Sequence, residues 1–195
     1  MSKGRWRIVA ATVALLVAPT LAFVFNLPLR FLPSADQRAV ESAFLGALAA
    51  ELQVQTTTVE PPNQPFREAD LGSQHRADSA RLAAFTIDPL LTRSLFRADS
   101  ARRVQLSDAP HKAWVDAGID SLNFNEVSVN GNHATVRATA EVWFNFDGRG
   151  VPPATSGSGA AGHNGVSFRA DVVRSASGRW LVRENAAEYI PGEGP

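Results

Sequence analysis

The chain has 195 residues and a mass of 20.9 kDa, with 45% apolar and 19% charged residues: enough for one ordinary core and an accessory segment, too little for two full domains. Nineteen basic residues balance nineteen acidic ones, which excludes a global electrostatic grip on nucleic acid. The absence of cysteine excludes a disulfide framework, a thiolate metal site, a cysteine nucleophile and lipidation at a thiol.

Lys3, Arg5 and Arg7 form a basic tail over residues 1–7, and the eighteen residues 8–25 then carry no charge. As a helix that stretch spans roughly 27 Å, close to a hydrocarbon core of about 30 Å. Trp6 and Arg30 flank it as interfacial residues do. The segment reads as an uncleaved single-pass anchor in contact with the lipid bilayer. The basic flank puts the N-terminus in the cytoplasm and the remainder outside it. The alternative is a signal peptide cleaved near Ala18 to Ala22, which would release a secreted protein. Without residues 1–25, 16 basic residues face 19 acidic ones, a net charge of −3.

Residues 26–33 form a stem, and an extracytoplasmic α+β domain is expected over residues 34–190, with 191–195 as a tail. Ser34 and Gln37 have capping-box spacing. Val40, Phe44, Ala47, Leu48 and Leu52 follow at helical spacing, so a helix runs to about Val54. Pro61, Pro62 and Pro65 interrupt regular structure. A weaker helical pattern covers residues 73–86, and Asp88-Pro89 announces a third helix. Ser107-Asp108-Ala109-Pro110 predicts a fourth, with Ala113, Trp114 and Ile119 inward and Gly118 near its end. Arg76-Ala-Asp-Ser-Ala-Arg81 recurs at residues 97–102, too short an echo for a repeat architecture. It reads as chance or as two similar solvent-facing turns.

From Ser121 the period becomes two. Asn130-Gly131 predicts a tight hairpin. Beyond it Ala134, Val136, Ala138, Ala140, Val142 and Phe144 alternate with Thr135, Arg137, Thr139, Glu141 and Trp143. Val166, Phe168, Ala170 and Val172 alternate with Ser167, Arg169, Asp171 and Val173. Ser175 to Gly178 then turns the chain into Trp180-Leu-Val-Arg-Glu184. The expected architecture is helices packed on the apolar face of a bent antiparallel sheet of about four strands.

Asn130-Gly-Asn-His-Ala-Thr-Val136 and the Gly178-Arg-Trp-Leu-Val182 strand, behind an N-terminal helical region, resemble the nuclear transport factor 2-like (cystatin-like) superfold over residues 34–190. With an anchor in front, the chain is similar to membrane-tethered bacterial members. Those are mammalian-cell-entry-associated proteins and the assembly factors of conjugation or type IV secretion machines. The Asn-Pro-x-Gly turn of the secretion factors is absent. The superfold hosts enzymes, carriers and scaffolds alike.

No residue set carries a coherent chemistry, so neither an enzyme nor a cofactor is expected. Gly157-Ser-Gly-Ala-Ala-Gly162 matches a dinucleotide fingerprint in letters only. It lies in a Gly/Pro/Ser-rich loop (residues 147–165) that runs into a strand instead of a helix. His75, His111, His133 and His163 show no metal-ligand spacing and read as solvated, so no metal is expected. Gly-x-Ser-x-Gly and Ser-x-x-Lys are absent. On the polar face, Glu141 or Asp171 is placed to pair with Arg137 or Arg169. Trp143 beside them suits a protein-contact surface, or is covered by the long loop. The resulting expectation is an interaction module of a bacterial envelope complex, with Arg137, Glu141, Trp143, Arg169 and Asp171 as contact face and other envelope proteins as partners. The alternative is a tethered carrier holding lipid or another hydrophobic molecule between sheet and helices.

Overall fold

A computed structural model describes residues 33–56, 69, 71–107, 113–147 and 162–191. The predicted span at residues 8–25, the tail from 192 and most of the 147–165 loop lie outside the described residues. Among the described residues, no helix is long and apolar enough to cross a membrane.

From Asp36 onward the chain forms one unit. Helix α1 (Ala35–Gln55) is followed by α2 (Leu71–Ala83) and α3 (Leu90–Ser107). The strands are β1 (Ala113–Asn130), β2 (His133–Asp147), β3 (Gly162–Arg174) and β4 (Trp180–Tyr189). They form one antiparallel sheet in the order β1-β2-β3-β4, the expected α+β meander.

The apolar stripe of α1 lies on the sheet. Val40, Phe44, Ala47, Leu48 and Leu52 are buried, in one cluster with Ala134, Val136, Ala138, Ala140 and Val142 of β2 and Val166, Phe168, Ala170 and Val172 of β3. Phe44 is fully buried and meets two rings edge-on, Phe124 of β1 at 6.0 Å and Phe168 of β3 at 5.9 Å. Edge-to-face geometry suits the ring quadrupoles and adds to the burial. A second side of α1, Ala50 and Val54, packs with Leu82 of α2 and Ala98 of α3. Gly46 is needed on this helix because an added Cβ would stand 2.4 Å from the Phe85 ring.

The fourth helix read from the sequence does not form. Helix α3 continues to Ser107, and Ala113 opens β1. The helical pattern was an effect of irregular pairing: β1 carries register shifts at Trp114/Asp116, Ile119/Ser121 and Phe124/Glu126. Each inserts a residue and moves the inward phase by one. Inward residues therefore fall at Ala117 and Ile119, then Leu122 and Phe124, then Val127 and Val129. The hairpin also closes one residue later than Asn130-Gly131 implies. Asn130 pairs with His133, leaving Gly131-Asn132 as the loop. Gly131 has φ 60° and Asn132 does not share a positive φ, the pattern of a II′ turn with glycine first. Strand β3 starts at Gly162, four residues before the alternation becomes visible.

The α2–α3 connection docks on the far edge of the sheet. Ile87 N–H donates to Val182 O at 3.0 Å, and Val182 N–H donates to Phe85 O at 2.8 Å. Asp88 caps α3 as expected, accepting from Thr92 N–H at 3.2 Å and the Thr92 hydroxyl at 2.6 Å.

The hexapeptide echo is not wholly solvent-facing: Asp78, Ala98 and Arg102 are buried. Asp78 from the first copy is fully buried and lies 2.5 Å from Nη1 of Arg102, 2% exposed, from the second. The two atoms meet off the hydrogen-bonding axis, so charge attraction holds them. Gln74 donates to Asp78 Oδ1 at 3.1 Å, and Arg102 Nη2 donates to Val54 O at 3.0 Å, serving a carbonyl in the last turn of α1. One arginine thus ties all three helices together. Leaving either charge alone in this setting costs about 3–5 kcal/mol, whereas apolar replacement of both is close to neutral. Asp78→Ala is expected to lower unfolding stability by that amount, and the Asp78→Leu/Arg102→Met double variant to recover most of it, read by urea titration. Phe44→Ala is expected to cost about 3–5 kcal/mol in the same assay.

Candidate functional site

The strands present two unlike faces. Helices cover the apolar one. On the other, Arg137, Glu141 and Arg169 are exposed, and Asp171 and Trp143 half-buried. The five predicted contact residues therefore share one face of β2 and β3, placed there by the period-two alternation.

Their pairings differ from those the sequence suggested. Arg137 and Arg169 stand opposite each other in the ladder. Arg137 turns to Glu126 of β1 at 3.6 Å, and Asp171 turns to Arg183 of β4 at 2.5 Å. Like charges side by side repel, and Arg137 gains more from the carboxylate on β1. Among the described residues Arg169 has no carboxylate partner. Glu141 instead meets His163 of β3, its Oε1 lying 3.4 Å from Nδ1. The same Nδ1 lies 3.0 Å from Oδ2 of Asp120, which sits at the second register shift of β1.

Trp143 lies against β1 at Gly118. A Cβ there would approach the indole to 2.5 Å, so only glycine lets the ring rest on the strand backbone. The ring is thus held in place by the sheet itself. Cover from the long loop is a reading that lies outside the described residues.

Between α1, α3 and the sheet end lies a cleft of about 530 Å³. Leu48, Leu52, Val142 and Phe168 form its apolar wall, and Glu51, Arg93, Arg97 and Tyr189 its polar one. The strand alternation predicted an apolar lining, and α1, α3 and the end of β4 add the polar groups. The Glu51 carboxylate accepts from the Ser94 hydroxyl at 2.6 Å and Asn185 Nδ2 at 3.0 Å. Arg93 is held by Glu184 at 3.2 Å and by Asn185 O at 3.1 Å. These bonds join helix to strand and engage both Glu51 oxygens. Asp120, His163 and Glu51 are the site groups that sequence reasoning missed, since no local motif joins them.

No family model and no curated protein matches the sequence. Among solved structures, the chain is similar to the intermembrane space region of the chloroplast protein ARC6, with 21% identity and a TM-score of 0.50 over 81% of this chain and 100% of that one. It is also similar to a periplasmic fragment of TraM, at 10% identity and a TM-score of 0.47 over 80% of this chain and 100% of that one. A ketosteroid isomerase-like protein from Erwinia carotovora atroseptica matches at 17% identity and a TM-score of 0.41, over 81% of this chain and 98% of that one. Three helices followed by a four-stranded antiparallel meander make up the fold that the chain shares with the ARC6 region at TM-score 0.50, and this is the element order that its resemblance to the nuclear transport factor 2-like superfold implies.

Proposed function

We propose that this chain is a non-enzymatic, membrane-anchored interaction module of a bacterial envelope complex, which receives another envelope protein on the polar face of its sheet. The observation that carries this reading is the face itself. It is left open by every described helix, holds an indole fixed on Gly118, and offers Arg169 with no carboxylate among the described residues. Trp143 and Arg169 share this open face six residues apart along β3, Trp143 standing opposite His163, and a rigid aromatic and an unneutralised arginine are the residue types that anchor binding hot spots. The basic tail and uncharged run at residues 1–25 support tethering, with the domain outside the cytoplasm. In the cleft Glu51 and Arg93 are engaged with neighbouring helix and strand groups, which favours a structural role for them over acid–base chemistry.

A photo-crosslinker placed at position 169 is expected to capture one membrane or envelope protein in stoichiometric yield, while the same group at position 72 on α2 captures none. Trp143→Ala should reduce that capture at least about tenfold, with an unchanged circular dichroism spectrum. Equal capture from both positions, or undiminished capture by Trp143→Ala, would sink the contact face. Stoichiometric co-purified lipid with no protein partner would move the function to the cleft. Because the chain has no cysteine, topology is testable with single introduced thiols. Ser177→Cys is expected to react with an impermeant maleimide on intact cells, and Ser2→Cys only after lysis.

A further inference from the structure

We propose that Asp120, Glu141 and His163 form a binding site for one divalent metal ion of the zinc class. This goes beyond the partner-binding reading and does not depend on it. The three ligands come from three adjacent strands, β1, β2 and β3, so the sheet holds them in register. Their ligand atoms all lie within 4.8 Å of one another. The imidazole Nδ1 stands 3.0 Å from the Asp120 carboxylate and 3.4 Å from that of Glu141. Two ligands bound about 2.1 Å from one ion, at roughly 90–110° to each other, are separated by about 3.0–3.4 Å. The two imidazole–carboxylate spacings therefore match two edges of a coordination polyhedron.

Charge points the same way. The neighbouring carboxylates of this face each have an arginine, Glu126 with Arg137 and Asp171 with Arg183. Among the described residues Asp120 and Glu141 have neither arginine nor lysine, only the imidazole they share. Two carboxylates sharing one imidazole leave negative charge that a divalent ion would cancel. Asp120 reaches this position through the register shift at Ile119/Ser121, the kind of bulge that re-aims a side chain. One nitrogen and two oxygens suit Zn²⁺ better than Mg²⁺ or Ca²⁺, which take oxygen ligands, and all three side chains are about half exposed, leaving room for water ligands.

The test is calorimetric titration of ZnCl₂ into the full-length, tag-free chain in mild detergent after chelator treatment. One ion per chain is expected. His163→Ala should weaken binding by more than the 10- to 100-fold that loss of an outer-shell partner costs, and Asp120→Asn by at least about tenfold. His75→Ala, which removes the other histidine–carboxylate pair, should leave affinity unchanged. Zn²⁺ should also raise the melting temperature of the unaltered chain and leave that of His163→Ala unmoved. No binding by the unaltered chain, full affinity in His163→Ala, or loss of affinity in His75→Ala would each overturn the site.

Discussion

Helix α1 has to bury two sides at once, and the rest of the unit is arranged around that demand. Its Phe44 side needs a sheet that reaches both β1 and β3, because the ring stands edge-on to a phenylalanine from each. Its Ala50 and Val54 side needs α2 and α3, whose Leu82 and Ala98 close over it. Small residues there let the helices approach closely, and Gly46 extends the same economy of volume to the Phe85 ring. The end of the helix is then held by a charge: Arg102 bonds the Val54 carbonyl while facing the buried Asp78.

Strong periodicity was readable and broken periodicity was not. The stripe from Val40 to Leu52 and the alternations of β2 and β3 each run several periods without interruption, and a single burial geometry satisfies each. Strand β1 pairs with β2 along its whole length, yet three register shifts displace its inward residues, so that Ala113 to Gly118 mimics the start of a helix. The hexapeptide echo misled for another reason. Asp78 and Arg102 each look like ordinary helix-surface residues along the sequence, and only the crossing of α2 and α3 makes them partners. The same holds for Asp120, Glu141 and His163, which lie twenty-one and twenty-two residues apart. Local spacing carries no sign of them because the sheet ladder brings them together.

The two faces of the sheet divide the work between them. The apolar face is committed to holding the helices, and in its cleft Glu51 and Arg93 are already bonded across helix and strand. The polar face has no such commitment, and its distinctive groups, the indole on Gly118 and the histidine between two carboxylates, lie next to each other, Trp143 directly opposite His163 in the ladder. A domain organised in this way can change what it binds without disturbing what keeps it folded.

The edges of the sheet bear on how such a domain behaves when crowded. A free strand edge is a template for any passing strand, and aggregation follows from it. At β4, the chain from Phe85 to Ile87 occupies hydrogen bonds beside Val182. At β1, three bulges interrupt the even row of donors and acceptors that a foreign strand would need. The irregularity that conceals β1 in the sequence therefore protects it from strand addition in the folded protein.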